Sequence, residues 1–182
     1  FSSINSASSF TLFIAVSPPD LSAFLLLLPC PLSSLKVFLA LTIFFEARGE
    51  PIQGQLAVAE VVLNRKKSSK YPNTVCEVVT QENGVGCQFS WWCDGKSDKP
   101  KEYNSFQTAK SVAELMIKDG EHISVIGKEA THYHTDDIKP YWASEYHHIG
   151  QVGKHIFYSE KRNDIKPLPR PKELTSKLLL DK

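Results

Sequence analysis

Thr42-Ile43-Phe44-Phe45-Glu46-Ala47-Arg48-Gly49-Glu50-Pro51 carries an apolar, helix-forming run into a Gly-Pro break, with two carboxylates at the junction. Leu35 to Phe45 is almost wholly apolar and reads as a buried helix, which places Glu46 on its last turn between aromatic neighbours. An anion there opposes the helix dipole, so it needs a reason other than surface solvation. Burial beside Phe44 and Phe45 penalises the charged form, raising the carboxyl pKa and suiting it to donate a proton near neutrality. Glu46 is therefore the candidate catalytic acid. Glu50 stands ahead of Pro51, where an anion favours the start of a following helix, and reads as structural.

Outward from this run, Ile52 to Lys67 places Leu56, Ala59, Val62 and Leu63 on one helical stripe, widened by Val58 and Val61. Its end, Asn64-Arg65-Lys66-Lys67, supplies cations that suit a helix C-terminus. Tyr71-Pro72-Asn73 marks a turn, and 74–81 reads as a strand by composition, with a short helix as the alternative. Residues 82–101 form a long Gly-containing loop around Phe89, Trp91 and Trp92. Asn104 or Ser105 is expected to cap a third helix that buries Phe106, Ala109, Val112, Ala113, Met116 and Ile117. Ala130 to Thr135 and His155 to Ser159 alternate and read as strands. The expected class is α+β, helices with a small antiparallel sheet, over residues 36–160. Residues 1–35 form an apolar leader, either a clipped export signal or non-native sequence. Residues 161–182 form an extended tail rich in Pro and Lys.

Composition narrows the function. A net charge of +1 with no basic stretch interleaved with aromatics gives no case for nucleic acid. The run Ala23 to Leu28 is cut by Pro29 and Pro31, too short for a stable membrane span. Of four cysteines, Cys76, Cys87 and Cys93 lie in the body of the chain without metal-knuckle spacing. Two readings are open, one disulfide among these three in an oxidising compartment or buried free thiols; the disulfide is favoured and leaves an odd thiol. Nothing calls for an oligomer, and the chain reads as a monomer.

Two further groups carry chemistry. Gln88-Phe89-Ser90-Trp91-Trp92 sets an amide and a hydroxyl among aromatic rings, the mix that sugar recognition uses, although one tryptophan is expected in the core. His132 and His134 would share a face of a strand, as a two-histidine metal site requires. No third ligand has a compelling spacing and no H-E-x-x-H occurs, so the reading assigns no metal and no cofactor. A zinc amidase built on these histidines remains a competing hypothesis, as does a non-catalytic glycan-binding module.

In order along the chain stand Phe45-Glu46-Ala47-Arg48-Gly49-Glu50-Pro51, Gly54-Gln55-Leu56-Ala57-Val58-Ala59 and Val62-Leu63-Asn64-Arg65. Tyr71 to Cys76 and Cys87-Gln88-Phe89-Ser90-Trp91 follow, then Ala130-Thr131-His132-Tyr133-His134, Pro140-Tyr141-Trp142-Ala143, Ile149-Gly150 and His155-Ile156-Phe157-Tyr158. Together these blocks resemble the SleB-type cell wall hydrolases over about residues 36–160. The resemblance implies a lysozyme-like domain that cleaves peptidoglycan glycan strands in the cell envelope, periplasmic or secreted, with a helix-borne glutamate as acid. Glu46 matches that glutamate. Gln88, Ser90, Trp91, His132, Tyr133 and Trp142 are then expected to bind the glycan. A hydrolase needs a second carboxylate. Asp136, Asp137 and Glu145 are the available candidates, and none has a convincing context. A lytic transglycosylase working with Glu46 alone is accordingly the favoured reading, and a hydrolytic muramidase the alternative.

Overall fold

The computed structural model describes residues 34–82, 84 and 86–160. The expected leader, up to residue 33, and the expected tail over 161–182 lie outside the described residues.

Leu35–Ala47 (α1) and Ile52–Lys67 (α2) form as their sequences indicate, broken at Gly49 and Pro51. α1 buries Leu39, Ala40, Ile43, Phe44 and Ala47 against Val75–Val79 (α3) and Tyr103–Asp119 (α4). Residues 75–79 are helical, not the strand expected. Thr74 caps the turn, its Oγ1 accepting from the Glu77 amide at 3.2 Å and donating to the Glu77 carboxylate at 2.6 Å. An N-cap threonine whose hydroxyl is in turn held by the Glu77 carboxylate outweighs the β-branched composition. α4 starts two or three residues earlier than expected, with Glu102 in the cap position, and Ile117 faces solvent at 39% exposure.

α2 departs further from the reading. It is buried on most sides, because it lies between two apolar clusters. Ala59 and Val62 join the helical cluster, while Ala57 and Val61 pack with Val125, Ile126, Ala130 and Phe157. Its many Ala and Val residues are what allow close approach on both sides. Three buried polar side chains on α2 are tied to the chain beyond α4. Glu60 accepts from Ser124 Oγ and from the Val125 and Ile126 amides at 2.8–3.0 Å. Asn64 donates to Gly127 O and Ala130 O, and Arg65 Nε donates to Thr131 O at 2.7 Å.

Ala130–Thr135 (β1), His147–Val152 (β2) and His155–Ser159 (β3) form an antiparallel sheet in the order β1-β3-β2. β2 gave no strand pattern in the sequence. It is interrupted by a register shift between His148 and Gly150 and is half exposed along its length, so alternation is blurred. The described fold is thus α+β, with the sheet laid against α2. Among the described residues no helix is long and apolar enough to cross a membrane.

Candidate active site

On α1, residues 39, 42, 43 and 46 fall on one face. Leu39, Thr42 and Ile43 are fully buried, so Glu46 is the point at which that buried face emerges into an open cleft of about 840 Å³. Its environment is the one the sequence suggested. Burial pushes the Glu46 carboxyl above its ordinary value, opposed by a hydrogen bond from Tyr133 and by the charge of Arg65. The Tyr133 hydroxyl donates to Glu46 Oε2 at 3.0 Å. Burial and the neighbouring carboxylate lift the Tyr133 phenol well above its usual range, so it stays a donor at every working pH.

The loop 87–102 makes one wall of the cleft. Cys87 and Cys93 are joined by a disulfide, and no cysteine among the described residues is a free thiol, so the expected odd thiol does not occur. The Gln88 amide donates to Gln81 O at 2.9 Å, which anchors the loop ahead of the short 3-10 turn Ser90–Trp92. Trp91 stacks on Phe45, with centroids 5.0 Å apart and planes 19° apart. It is both core and wall, 6% exposed yet lining the cleft, while Trp92 packs edge-on behind it. Gln88 and Ser90 line the same wall.

The opposite side is built by β1 and the turn after it. Tyr133 and Trp142 line the cleft, but His132 does not. His132 stacks on Tyr146 at 4.2 Å and meets Trp142 at 5.4 Å, so it backs Trp142 from outside the cleft. Burial, with Arg65 nearby, depresses its pKa to about 4 and leaves it neutral. His134 lines the cleft with both ring nitrogens engaged, one with Thr135 O at 2.8 Å and one with the Tyr158 hydroxyl at 2.9 Å. The two histidines thus serve different surroundings. Among the described residues no three His, Cys, Asp or Glu side chains converge as a metal site would require.

The acids divide as sharply. Asp136, Asp137 and Glu145 do not line the cleft. Asp94, Asp98 and Glu102 do, on the loop wall, where Asp94 pairs with Lys96 and Glu102 with Arg48. Glu50 Oε2 reaches across the β2–β3 turn to accept the Lys154 amide at 2.9 Å and sits 4.0 Å from His155 Nδ1. The partner of this carboxylate is thus the hairpin, where the sequence reading set it at the α2 N-terminus.

A family model described as Cell Wall Hydrolase matches residues 49–158. The chain belongs to that family. It is 33% identical over 124 residues to the spore cortex-lytic enzyme of Oceanobacillus iheyensis, an alignment covering 65% of this chain and 39% of that protein. It is 31% identical over 120 residues to the spore cortex-lytic enzyme of Bacillus subtilis, covering 65% and 35% respectively. The chain therefore spans well under half the length of these curated relatives. Among solved structures it is similar to the catalytic domain of the germination-specific lytic transglycosylase SleB from Bacillus anthracis. That likeness has a TM-score of 0.55 at 29% identity, covering 72% of this chain and all of that domain. The catalytic domain of Bacillus cereus SleB gives a TM-score of 0.53 at 28% identity, covering 72% of this chain and 95% of that one.

The match to the cell wall hydrolase model opens three residues beyond Glu46, so the geometry around this side chain carries its own weight. That geometry also contains a residue the sequence reading passed over. Arg65 reads as one of several solvated helix-end cations, yet it is 5% exposed and lines the cleft. Its signal was positional: it falls four residues after Val61 and three after Val62, on the buried side of α2.

Proposed function

We propose that this cell wall hydrolase cleaves peptidoglycan glycan strands between N-acetylmuramic acid and N-acetylglucosamine as a lytic transglycosylase, with Glu46 as its single catalytic carboxylate. The observation that carries the reading is the Tyr133–Glu46 hydrogen bond at the buried edge of a cleft walled by Trp91 and Trp142. Because Tyr133 donates to Oε2, the neutral carboxyl holds its proton on Oε1. That proton passes to the glycosidic oxygen as the bond from muramyl C1 breaks, releasing the N-acetylglucosamine hydroxyl. Positive charge then develops at C1, facing the carboxylate now formed. The muramyl 6-hydroxyl attacks C1, its proton returns to Glu46, and an anhydro ring closes without water.

No second carboxylate is required by this sequence of steps: Asp136, Asp137 and Glu145 lie outside the cleft, and of the three acids on the loop wall Asp94 and Glu102 are held in ion pairs. Gln88, Ser90, Trp91, Tyr133 and Trp142 line the path of the strand, and the rings supply the flat faces on which pyranoses stack. Residues 36–160 would form the catalytic domain, acting in the cell envelope. Mass spectrometry of digested sacculi tests the reading. Anhydro-muropeptides are expected; reducing ends would mean a hydrolase, and free stem peptides an amidase.

A further inference from the structure

Arg65 is buried where a cation is costly. It is 5% exposed, its Nε is held by Thr131 O at 2.7 Å, and its guanidinium carbon lies 5.4 Å from the ring centroids of both Tyr71 and Phe89. Its Nη1 is buried without a hydrogen-bond partner. Burying a charge is unfavourable unless an opposite charge compensates. The neighbouring acid Glu160 is engaged by Lys70 and by the Tyr71 hydroxyl. Thr131, which clamps Arg65, stands two residues before Tyr133 on β1, and Tyr133 bonds Glu46, so Glu46 is the cleft carboxylate to which these contacts lead.

We propose that Arg65 is the positioning residue that lets Glu46 act as a base after it has acted as an acid: its clamped, buried charge sustains the carboxylate form of Glu46 among aromatic surroundings that favour the neutral form. This rests on the transglycosylase reading, in which the carboxylate must persist until the muramyl 6-hydroxyl gives up its proton as the bond from O6 to C1 forms. Without the cation, the apolar wall of Phe44, Phe45 and Trp91 holds the proton too tightly to release it. The other groups facing Glu46 do not supply the charge. Tyr133 from β1 is neutral, and His155 from β3, edge-on behind Tyr133 at 5.1 Å, is kept neutral by burial. Arg48, at the C-cap of α1, turns to Glu102, and Asp98 and Lys99 belong to the loop wall.

The test reads Glu46 directly, by carbon NMR titration of its carboxyl, assigned against Glu46→Gln, beside turnover on purified peptidoglycan. Arg65→Gln is expected to raise the titration midpoint by about one unit or more. Turnover at neutral pH should fall at least about tenfold with KM within about twofold, since an interaction outside substrate binding is lost. Arg65→Lys, which keeps the charge, should hold both near wild type. A folded Arg65→Gln protein with an unmoved midpoint overturns the proposal. Should Arg65→Gln fail to fold, Arg65→Met, which keeps an unbranched stem between Tyr71 and Phe89 without the charge, carries the same test: a raised midpoint supports the role, and an unmoved midpoint overturns it. Reducing ends from the wild-type protein would sink the transglycosylase reading separately, because the NMR midpoint does not depend on the product formed.

Discussion

The Tyr133 hydroxyl donates to Glu46 Oε2 at 3.0 Å, joining the edge strand β1 to the last turn of α1 across 87 residues of sequence. This bond stabilises the ionised carboxylate and fixes which oxygen keeps the proton. Tyr133→Phe removes it with little change in shape. Turnover on peptidoglycan is expected to fall by about 100-fold, in line with the loss of one oriented donor at a site of developing charge. The alkaline limb of the pH profile should move up, since the lost bond was one of the influences pulling the Glu46 pKa down. Steady-state rates between pH 5 and 9, with circular dichroism as a folding control, measure both effects.

Glu46→Gln should abolish cleavage and leave the fold intact, and its stability should carry a sign. The folded protein holds the Glu46 proton more tightly than the unfolded chain, whose value is near 4.5. The stabilisation from this group is therefore complete below about that pH and is lost as pH rises through the folded value. The substituted amide cannot ionise, so the variant should match wild type in acid and become the more stable protein as pH rises. Thermal melts of the two proteins across pH 4 to 8 check this. Equal melting differences at both ends would mean that Glu46 is not desolvated, and retained cleavage would remove it as the acid.

Asp98 tests whether Glu46 acts alone. It lines the cleft without the ion pairs that occupy Asp94 and Glu102, which makes it the natural rival for a second carboxylate. A hydrolase that lost its second carboxylate would fall by about 100- to 10,000-fold. Asp98→Asn is expected to keep turnover within about threefold and to leave anhydro ends as the product, because binding contacts alone change KM before kcat. Muropeptide profiling with matched rate measurements separates the two cases.

Much of this site was readable before the fold was known, and the reasons are local. Glu46 announces itself because a carboxylate on an apolar helix end is anomalous within a few residues of context. The Gln88–Trp92 loop does so through its density of rings and amides. Arg65 was hidden because it stands in a run of cations, and its spacing from Val61 and Val62 gains meaning only once α2 is seen to be packed on both sides. His132 and His134 looked equivalent because strand periodicity puts them on one face. The register shift beside Ala130 and the Trp142–Tyr146 cluster then give them different neighbours. The strand β2 escaped notice for a similar reason: its pairing is supplied by β3, not by its own pattern.

The Cys87–Cys93 disulfide closes a short loop around Gln88, Ser90 and Trp91. Chain-entropy bookkeeping for a loop of this length gives about 2 kcal/mol of stabilisation. Cys87→Ser should lower stability by roughly that amount in chemical denaturation. It should also raise KM more than it lowers kcat, since Glu46 and Tyr133 lie on α1 and β1 while this wall is freed. A kcat loss as deep as that of Tyr133→Phe would place the loop in the chemistry itself.

The second glutamate of the opening run gives a prediction about stability alone. Gly153 turns the β2–β3 hairpin at φ 59°, and a Cβ there would fall 1.8 Å from Glu50 Oε2. Glu50→Ala removes the acceptor of the Lys154 amide, worth about 1 kcal/mol for a bond of this kind. Gly153→Ala incurs about 1–2 kcal/mol for the left-handed backbone alone. It must also push the Glu50 carboxylate off Lys154, so its total loss should exceed that of Glu50→Ala. In the double variant the clash and the lost bond are the same event counted once. The combined loss should therefore fall short of the sum of the single losses by about 1 kcal/mol, the coupling expected of side chains in direct contact. Urea denaturation of the four proteins measures it, and strict additivity would show that Glu50 does not lean on the hairpin. Turnover per folded molecule should stay near wild type in the Glu50 variant, which separates its role from that of Glu46 four residues earlier.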